Sequence, residues 1–394
     1  MPAVDARGLH WPGKPATVGD MMTGMDRLLS DDPVLLHGRR VGLLAHPASL
    51  NAGGRHSAEL LWSFPDCHLA ALFSPEHGYF GGAGAGEAIP EIRHPAWDIP
   101  VYSLYGGQAR PTAAMLRELD VLIIDLQDLS TRCYTYVSSL MEVLDACEGE
   151  DVPVIVTDRP TPWMQCVDGP DLHPGFTSFV GQFPGPMVYG LTPGEVARYL
   201  SDTLGLRLDL TVIPAVVKDR IWEVPAWRWS APSPGIRHLH TAWCYPMTVG
   251  FEALPAFSHG RGGPMPFEWV GGEGVDGQRL ADWLNEQNLA GVAFHPHWQI
   301  ETGRVLGGVR ISVMESGICQ PVTTAVALLD GFREQLGPEG LWQSAGLRRD
   351  FFDQLMGTNQ VRDGLEAGIA WQDIVAEWDT SAFRTRREKA LLYG

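Results

Sequence analysis

Short apolar runs recur along the first half of the chain, each bounded by polar or glycine-rich segments. Arg40–His46, Cys67–Phe73 and Ile99–Tyr105 read as strands. Asp120–Asp125 is apolar at every interior position, the mark of a strand buried on both faces. Val152–Asp158 has the same character, and Leu208–Ile213 is a further strand ended by Pro214. Between these runs the apolar spacing becomes helical, over Ser57–Trp62, Thr112–Leu119 and Tyr136–Cys147. Thr192-Pro193-Gly194-Glu195 opens another helix, with a hydroxyl cap, proline in the first turn and an acid three residues on. Such strand–helix alternation predicts an α/β fold with a mostly parallel sheet and helices on both faces.

The pattern changes later. Trp222–Pro266 is rich in Pro, Trp, Gly and His, and predicts long loops at a joint between domains. Helical spacing returns at Asp276–Asn288 and Val322–Gln335, with a β pattern at Val305–Val313 between them. It resumes near Leu341–Leu355 and Ile374–Leu392. This second part reads as a smaller α+β domain. The expected division is residues 1–235 and 236–394.

Composition narrows the function. The chain has 394 residues, 45% hydrophobic and 19% charged, enough for a sizeable core. With 29 basic and 47 acidic residues its net charge is −18, which argues against a nucleic-acid or anionic-membrane partner. Six scattered cysteines form no C-x-x-C pair and read as reduced thiols. Neither a signal peptide nor an apolar run near the ~20 residues of a membrane span is present, so a cytoplasmic location is expected. No cofactor is expected, because the glycines of Gly78–Gly86 match neither a phosphate-binding loop nor a dinucleotide fingerprint.

Candidate chemistry gathers at predicted strand ends. Glu76 and His77 follow the second strand on a turn that leads into the glycine run. Asp125, Asp128, Arg132, Tyr134 and Tyr136 follow the buried strand; Asp158 and Arg159 follow the next. In a parallel sheet these edges converge on one cleft. Glu252 and Arg261 lie in the later loops, Arg261 between glycines and fit to grip a carboxylate or phosphate. Each also has a purely structural explanation. Asp128 and Asp158 suit helix caps, Asp158–Arg159 an ion pair, Tyr134 and Tyr136 the core, and Glu252 a loop anchor. Two mechanisms stay open: acid catalysis by Glu76, and a metal held by His46, His77 and Asp125.

Several motifs occur in one order: Ser74-Pro-Glu-His-Gly78, Pro100-Val-Tyr-Ser-Leu-Tyr-Gly106, Asp125-x-Gln-Asp128, Arg132-x-Tyr-Thr-Tyr136, Asp158-Arg-Pro160, Pro232-Ser-Pro234, Gly260-Arg-Gly262 and Pro266-Phe-Glu268. In this the chain resembles the exo-β-N-acetylmuramidase family, from about Arg40 to its end. The resemblance implies a Rossmann-like α/β domain with a smaller C-terminal domain and the active site in a cleft between them. It implies a glycoside hydrolase that removes terminal N-acetylmuramic acid from peptidoglycan fragments, with Glu76 as catalytic acid. Asp125, Asp128, Glu252, Tyr134 or Tyr136 would supply the second group, and His77 would hold Glu76 or share its proton. A lactyl carboxylate would meet Arg132 or Arg261, and Asp158, Arg159 and Glu252 would line the substrate site. The chain departs from the family pattern at Phe80, Cys133, Thr161, Gly235, His259 and Gly263. Several of these changes remove polar groups, which leaves room for an altered sugar preference or for a non-catalytic, sugar-binding relative.

Overall fold

The computed structural model describes residues 22–216, 229–301, 303–342 and 346–393. The first part is built on a seven-stranded sheet. Its strands are β1 (Arg39–Leu44), β2 (Cys67–Ser74), β3 (Ile92–Arg93), β4 (Pro100–Ser103), β5 (Val121–Ile124), β6 (Val154–Thr157) and, after a ribbon of β7 (Asp168–Asp171) and β8 (Pro186–Val188), β9 (Leu210–Ile213). They lie in the order β3-β4-β2-β1-β5-β6-β9. All neighbours pair in parallel except the short edge strand β3. All four residues of β5, and all four of β6, are buried, as their uninterrupted apolar runs predict.

Among the described residues five helices belong to this part: α1 (Gly24–Ser30), α2 (Ser57–Trp62), α3 (Ala113–Leu116), α4 (Tyr136–Gly149) and α5 (Pro193–Leu204); α6 (Leu239–Thr248) packs with the second. The cap read at Thr192 forms as a full capping box: Glu195 N–H donates to the Thr192 hydroxyl, and Thr192 N–H donates to the Glu195 carboxylate. Helix α6 corrects one expectation, since it lies inside the segment Trp222–Pro266 read as loops. Pro246 and the neighbouring aromatics hid its spacing. Pro246 sits within the helix, where tertiary packing of buried Cys244, Tyr245 and Met247 overrides its cost. The part of that segment at 222–228 lies outside the described residues.

The second part is an antiparallel sheet of β10 (Phe257–Ser258), β11 (Trp269–Glu273), β12 (Val292–Glu301) and β13 (Arg304–Val313), in the order β10-β11-β13-β12. Helix α7 (Gly277–Glu286) packs on it and α8 (Pro321–Trp342, kinked at Gly337) packs against α6 and α7, followed by α9 (Arg349–Met356) and three shorter helices. Thus the stretch Ile374–Leu392, read as one helical pattern, is broken into short turns of helix. The chain is an α/β protein with a mostly parallel sheet and a C-terminal antiparallel sheet.

One face of the parallel sheet buries Leu43, Leu72, Ile123 and Ile155 in a compact cluster. The other face joins a core that runs without interruption through Phe73, Tyr136 and Phe267 to Val309 and Phe332 of the second part. The two parts are also clipped together at the C-terminus. Tyr393 donates its hydroxyl proton to Asp158 at 2.8 Å, and Leu392 N–H donates to Glu195 at 2.8 Å. Among the described residues no helix is long and apolar enough to cross a membrane.

Candidate active site

The carboxyl edge of the parallel sheet carries the site. Strand β2 ends at Ser74, and Pro75 turns the chain so that Glu76 stands at the rim. The loop behind it is strained and tied. His77 adopts φ +71°, a region costly for a side chain with a Cβ, and Gly78 follows at φ +77°. The buried His77 ring makes a 2.9 Å hydrogen bond from Nδ1 to the Ala83 carbonyl, closing the glycine run on itself. That fold-back brings Gly86 to Glu76: Gly86 N–H donates to Oε1 at 2.9 Å. The other carboxylate oxygen accepts from the Thr135 hydroxyl at 2.7 Å. Glu76 is therefore held from two independent segments.

Thr135 belongs to the turn that starts α4. Next to it, Tyr136 donates its hydroxyl proton to the Pro232 carbonyl at 2.6 Å, and its ring lies 4.5 Å from that of Tyr134. Tyr245 meets Tyr134 edge-on at 5.7 Å. Burial raises the phenols of Tyr134, Tyr136 and Tyr245 far above their ordinary range, so this cluster stays neutral. Tyr105, just past β4, is pushed up to about 12, first by burial and then by the nearby Glu76 charge.

A cleft of about 210 Å³ opens between these residues and the second part. Glu76, His77, Tyr134, Thr135 and Ser233 line it together with Arg237, Tyr245, Arg261 and Phe267. Arg261 forms an ion pair with Glu252 and lies 5.8 Å over the Phe267 ring. The Glu252 carboxyl is raised, chiefly by burial; Arg261 opposes that shift and the Glu76 charge adds to it. Glu252 and Glu76 are thus close enough to feel one another.

The remaining predicted residues lie behind the cleft and are bound elsewhere. Asp125 is fully buried and accepts from Ser57 and from Arg159, Nη2 of the latter at 2.9 Å. Arg159 also donates to the Leu50 carbonyl at 2.6 Å, so Asp125–Arg159 is an internal ion pair. Asp158 accepts from Thr192 and Gly194, both at 2.7 Å, and so caps α5 as one structural alternative predicts. Asp128 accepts from Ser130 N–H at 2.9 Å and from the Tyr189 hydroxyl, and burial lifts its carboxyl to about 6.

Arg132 departs furthest from the expectation of a substrate ligand. It has no solvent exposure, and its guanidinium donates to the carbonyls of Pro170, Gly185 and Met356 at 3.1, 2.7 and 2.6 Å. A carboxylate has no path to it.

The three residues weighed for a metal do not converge. His46 Nε2 accepts from Gln127 N–H at 2.9 Å, His77 is tied to Ala83, and Asp125 is taken by Ser57 and Arg159. Among the described residues no group of three His, Cys, Asp or Glu is placed to hold a metal ion.

Thr135, Tyr105 and Arg237 were not singled out from the sequence. Thr135 and Tyr105 lie within two of the ordered motifs, which was the signal available; Arg237 follows a third by three residues.

The same architecture occurs in known proteins. A family model described as the N-terminal part of the exo-β-N-acetylmuramidase NamZ matches residues 41–240, and one for its C-terminal part matches residues 243–393. The peptidoglycan β-N-acetylmuramidase NamZ of Bacillus subtilis is 32% identical over 383 residues, 95% of this chain and 91% of that protein. Two crystal structures of DUF1343 family proteins from Bacteroides fragilis each cover 95% of the chain and are themselves 99% covered. Their TM-scores are 0.88 and 0.74, at 29% and 27% identity.

Proposed function

The chain belongs to the exo-β-N-acetylmuramidase family, and on that premise we propose that Glu76 is the acid that cleaves its substrate. The protein is a glycoside hydrolase that releases a terminal N-acetylmuramic acid, or a related amino sugar, from peptidoglycan fragments. What carries the assignment of Glu76 is its setting: a carboxyl group at the cleft rim, fixed by Gly86 N–H and by Thr135. A general acid must meet the leaving oxygen in one geometry, and two anchors from separate segments supply that.

In the proposed reaction Glu76 gives its proton to the glycosidic oxygen as the bond to the anomeric carbon breaks. Positive charge then develops on the sugar ring. Glu252 is the second carboxyl group. Of the carboxylates weighed beside Glu76, it alone pairs with a residue that lines the cleft, Arg261, whereas Asp125 and Asp128 are committed to internal partners. Water supplies the hydroxyl to the anomeric carbon, and its proton returns the site to its starting state. His77 positions Glu76 through the loop, and Tyr134 and Tyr136 form an uncharged wall.

We divide the chain near residue 235; the meeting of the two family models between residues 240 and 243 supports this. We also place the protein in the cytoplasm, a reading supported by its six unpaired cysteines.

The test is release of the chromophore from a chromogenic β-N-acetylmuramide by purified protein, with Glu76→Gln as comparison. The variant is expected to fold and to lose at least about 10²-fold in kcat. Wild-type turnover that survives in Glu76→Gln, or that a chelator abolishes and zinc restores, would overturn the assignment. The anomer released first, read by NMR, reports whether Glu252 faces the anomeric carbon or a water.

A further inference from the structure

Two guanidinium groups line the cleft, and they are not equivalent. Arg261 is already neutralised by Glu252, so a substrate carboxylate there would have to displace a protein carboxylate. Arg132, the other residue expected to meet an acid, is sealed beneath three backbone carbonyls. That leaves Arg237. It is exposed, and its one hydrogen bond within the described residues runs from Nε to the Pro234 carbonyl at 3.2 Å. No carboxylate among the described residues pairs with it.

The arrangement is that of a presented fork. Ser233 and Ile236 are buried, and Ile236 N–H donates to the Ser233 carbonyl at 3.1 Å, which fixes the turn from which Arg237 projects. Its Nε is spent on backbone, while both Nη groups remain for a ligand in the planar geometry that suits a carboxylate. The rest of the protein gives such a group a purpose. At a net charge of −18 the chain repels an anionic sugar, and a local cation in the cleft offsets that repulsion. What distinguishes a muramic acid from the corresponding glucosamine is the lactyl ether, whose carboxylate is the one charge it adds. We propose that Arg237 is the specificity-determining residue that binds this lactyl carboxylate. The proposal rests on the glycosidase reading above.

The experiment compares wild type, Arg237→Gln and Arg237→Lys on three chromogenic β-glycosides: N-acetylmuramide, its lactyl methyl ester, and N-acetylglucosaminide. Arg237→Gln is expected to raise KM for the acid by roughly tenfold or more, with a much smaller change for the ester. The preference for acid over ester then collapses, and KM loses most of its dependence on sodium chloride. Arg237→Lys restores part of the preference, as a point charge without the fork. An equal KM rise for acid and ester, or a preference that survives in Arg237→Gln, would overturn the proposal. If wild type cleaves none of the glycosides, the glycosidase reading fails by itself. Calorimetry with free N-acetylmuramic acid and its methyl ester then decides Arg237. Preferential binding of the acid that Arg237→Gln abolishes supports the role, and equal or absent binding refutes it.

Discussion

The Thr135 hydroxyl donates a 2.7 Å hydrogen bond to the Glu76 carboxylate across 59 residues of sequence. It joins the loop after β2 to the start of α4, so the orientation of the acid depends on two elements of the sheet domain at once. Thr135→Val keeps the shape and removes the donor. It is expected to lower kcat about tenfold with little change in KM, and Thr135→Ser should recover most of the loss. A fall in KM-linked binding with kcat intact would mean that Thr135 serves the substrate rather than Glu76.

The Glu252–Arg261 pair makes a prediction about pH. Burial raises the Glu252 carboxyl and Arg261 holds it down. Arg261→Gln removes the opposing charge, so Glu252 keeps its proton to higher pH. If ionised Glu252 is required, the acidic limb of the kcat profile shifts upward in Arg261→Gln. Glu252→Gln should lower kcat by about 10²-fold at all pH values. An unmoved acidic limb in Arg261→Gln would remove Glu252 from the mechanism.

Arg132 is predicted to be a stability residue. Arg132→Met leaves the carbonyls of Pro170, Gly185 and Met356 without their donor. The expected loss is about 3 kcal/mol or more in denaturant unfolding. In whatever fraction folds, KM should stay near wild type. A raised KM at undiminished stability would restore Arg132 to the substrate site.

Asp128 gives a stability trend with a defined sign. Its carboxyl rises from 3.8 to about 6 on folding because it is buried. The folded state therefore binds the proton more tightly, and this contribution is fully present below about pH 4 and lost as pH rises through 6. Asp128→Asn cannot ionise and keeps an acceptor for Ser130 and Tyr189. The unfolding free energy of the variant relative to wild type should rise between pH 4 and 6 and then level off. A difference independent of pH would show that Asp128 is not the group responsible.

Much of the scaffold was legible because period and capping are local signals. The uninterrupted Val121–Ile124 run gave a central strand, and Thr192–Glu195 gave a helix start. Glu76 and His77 were legible for the same reason, as an acid and an imidazole just beyond a strand at the binding edge. The convergence of strand-end carboxylates was only half readable. Asp125 and Asp158 do lie at that edge, but Ser57, Arg159, Thr192 and Tyr393 turn them inward. Periodicity reports which face a residue occupies and is silent on partners dozens of residues away. Thr135 and Arg237 escaped notice because a hydroxyl or a guanidinium in a turn leaves no periodic trace. Helix α6 was masked by Pro246 and its aromatic neighbours.

The contacts of Leu392 and Tyr393 with Glu195 and Asp158 bear on how the protein is made. A ribosome delivers the parallel sheet long before it delivers Leu392 and Tyr393. Until they emerge, two carboxylates under the sheet lack part of their hydrogen bonding, and Arg132 still waits for the Met356 carbonyl. The nascent first half is therefore an unfinished body whose polar groups call for the second half. Vectorial synthesis should pass through a loosened intermediate, and docking of the second part should be the event that tightens the first.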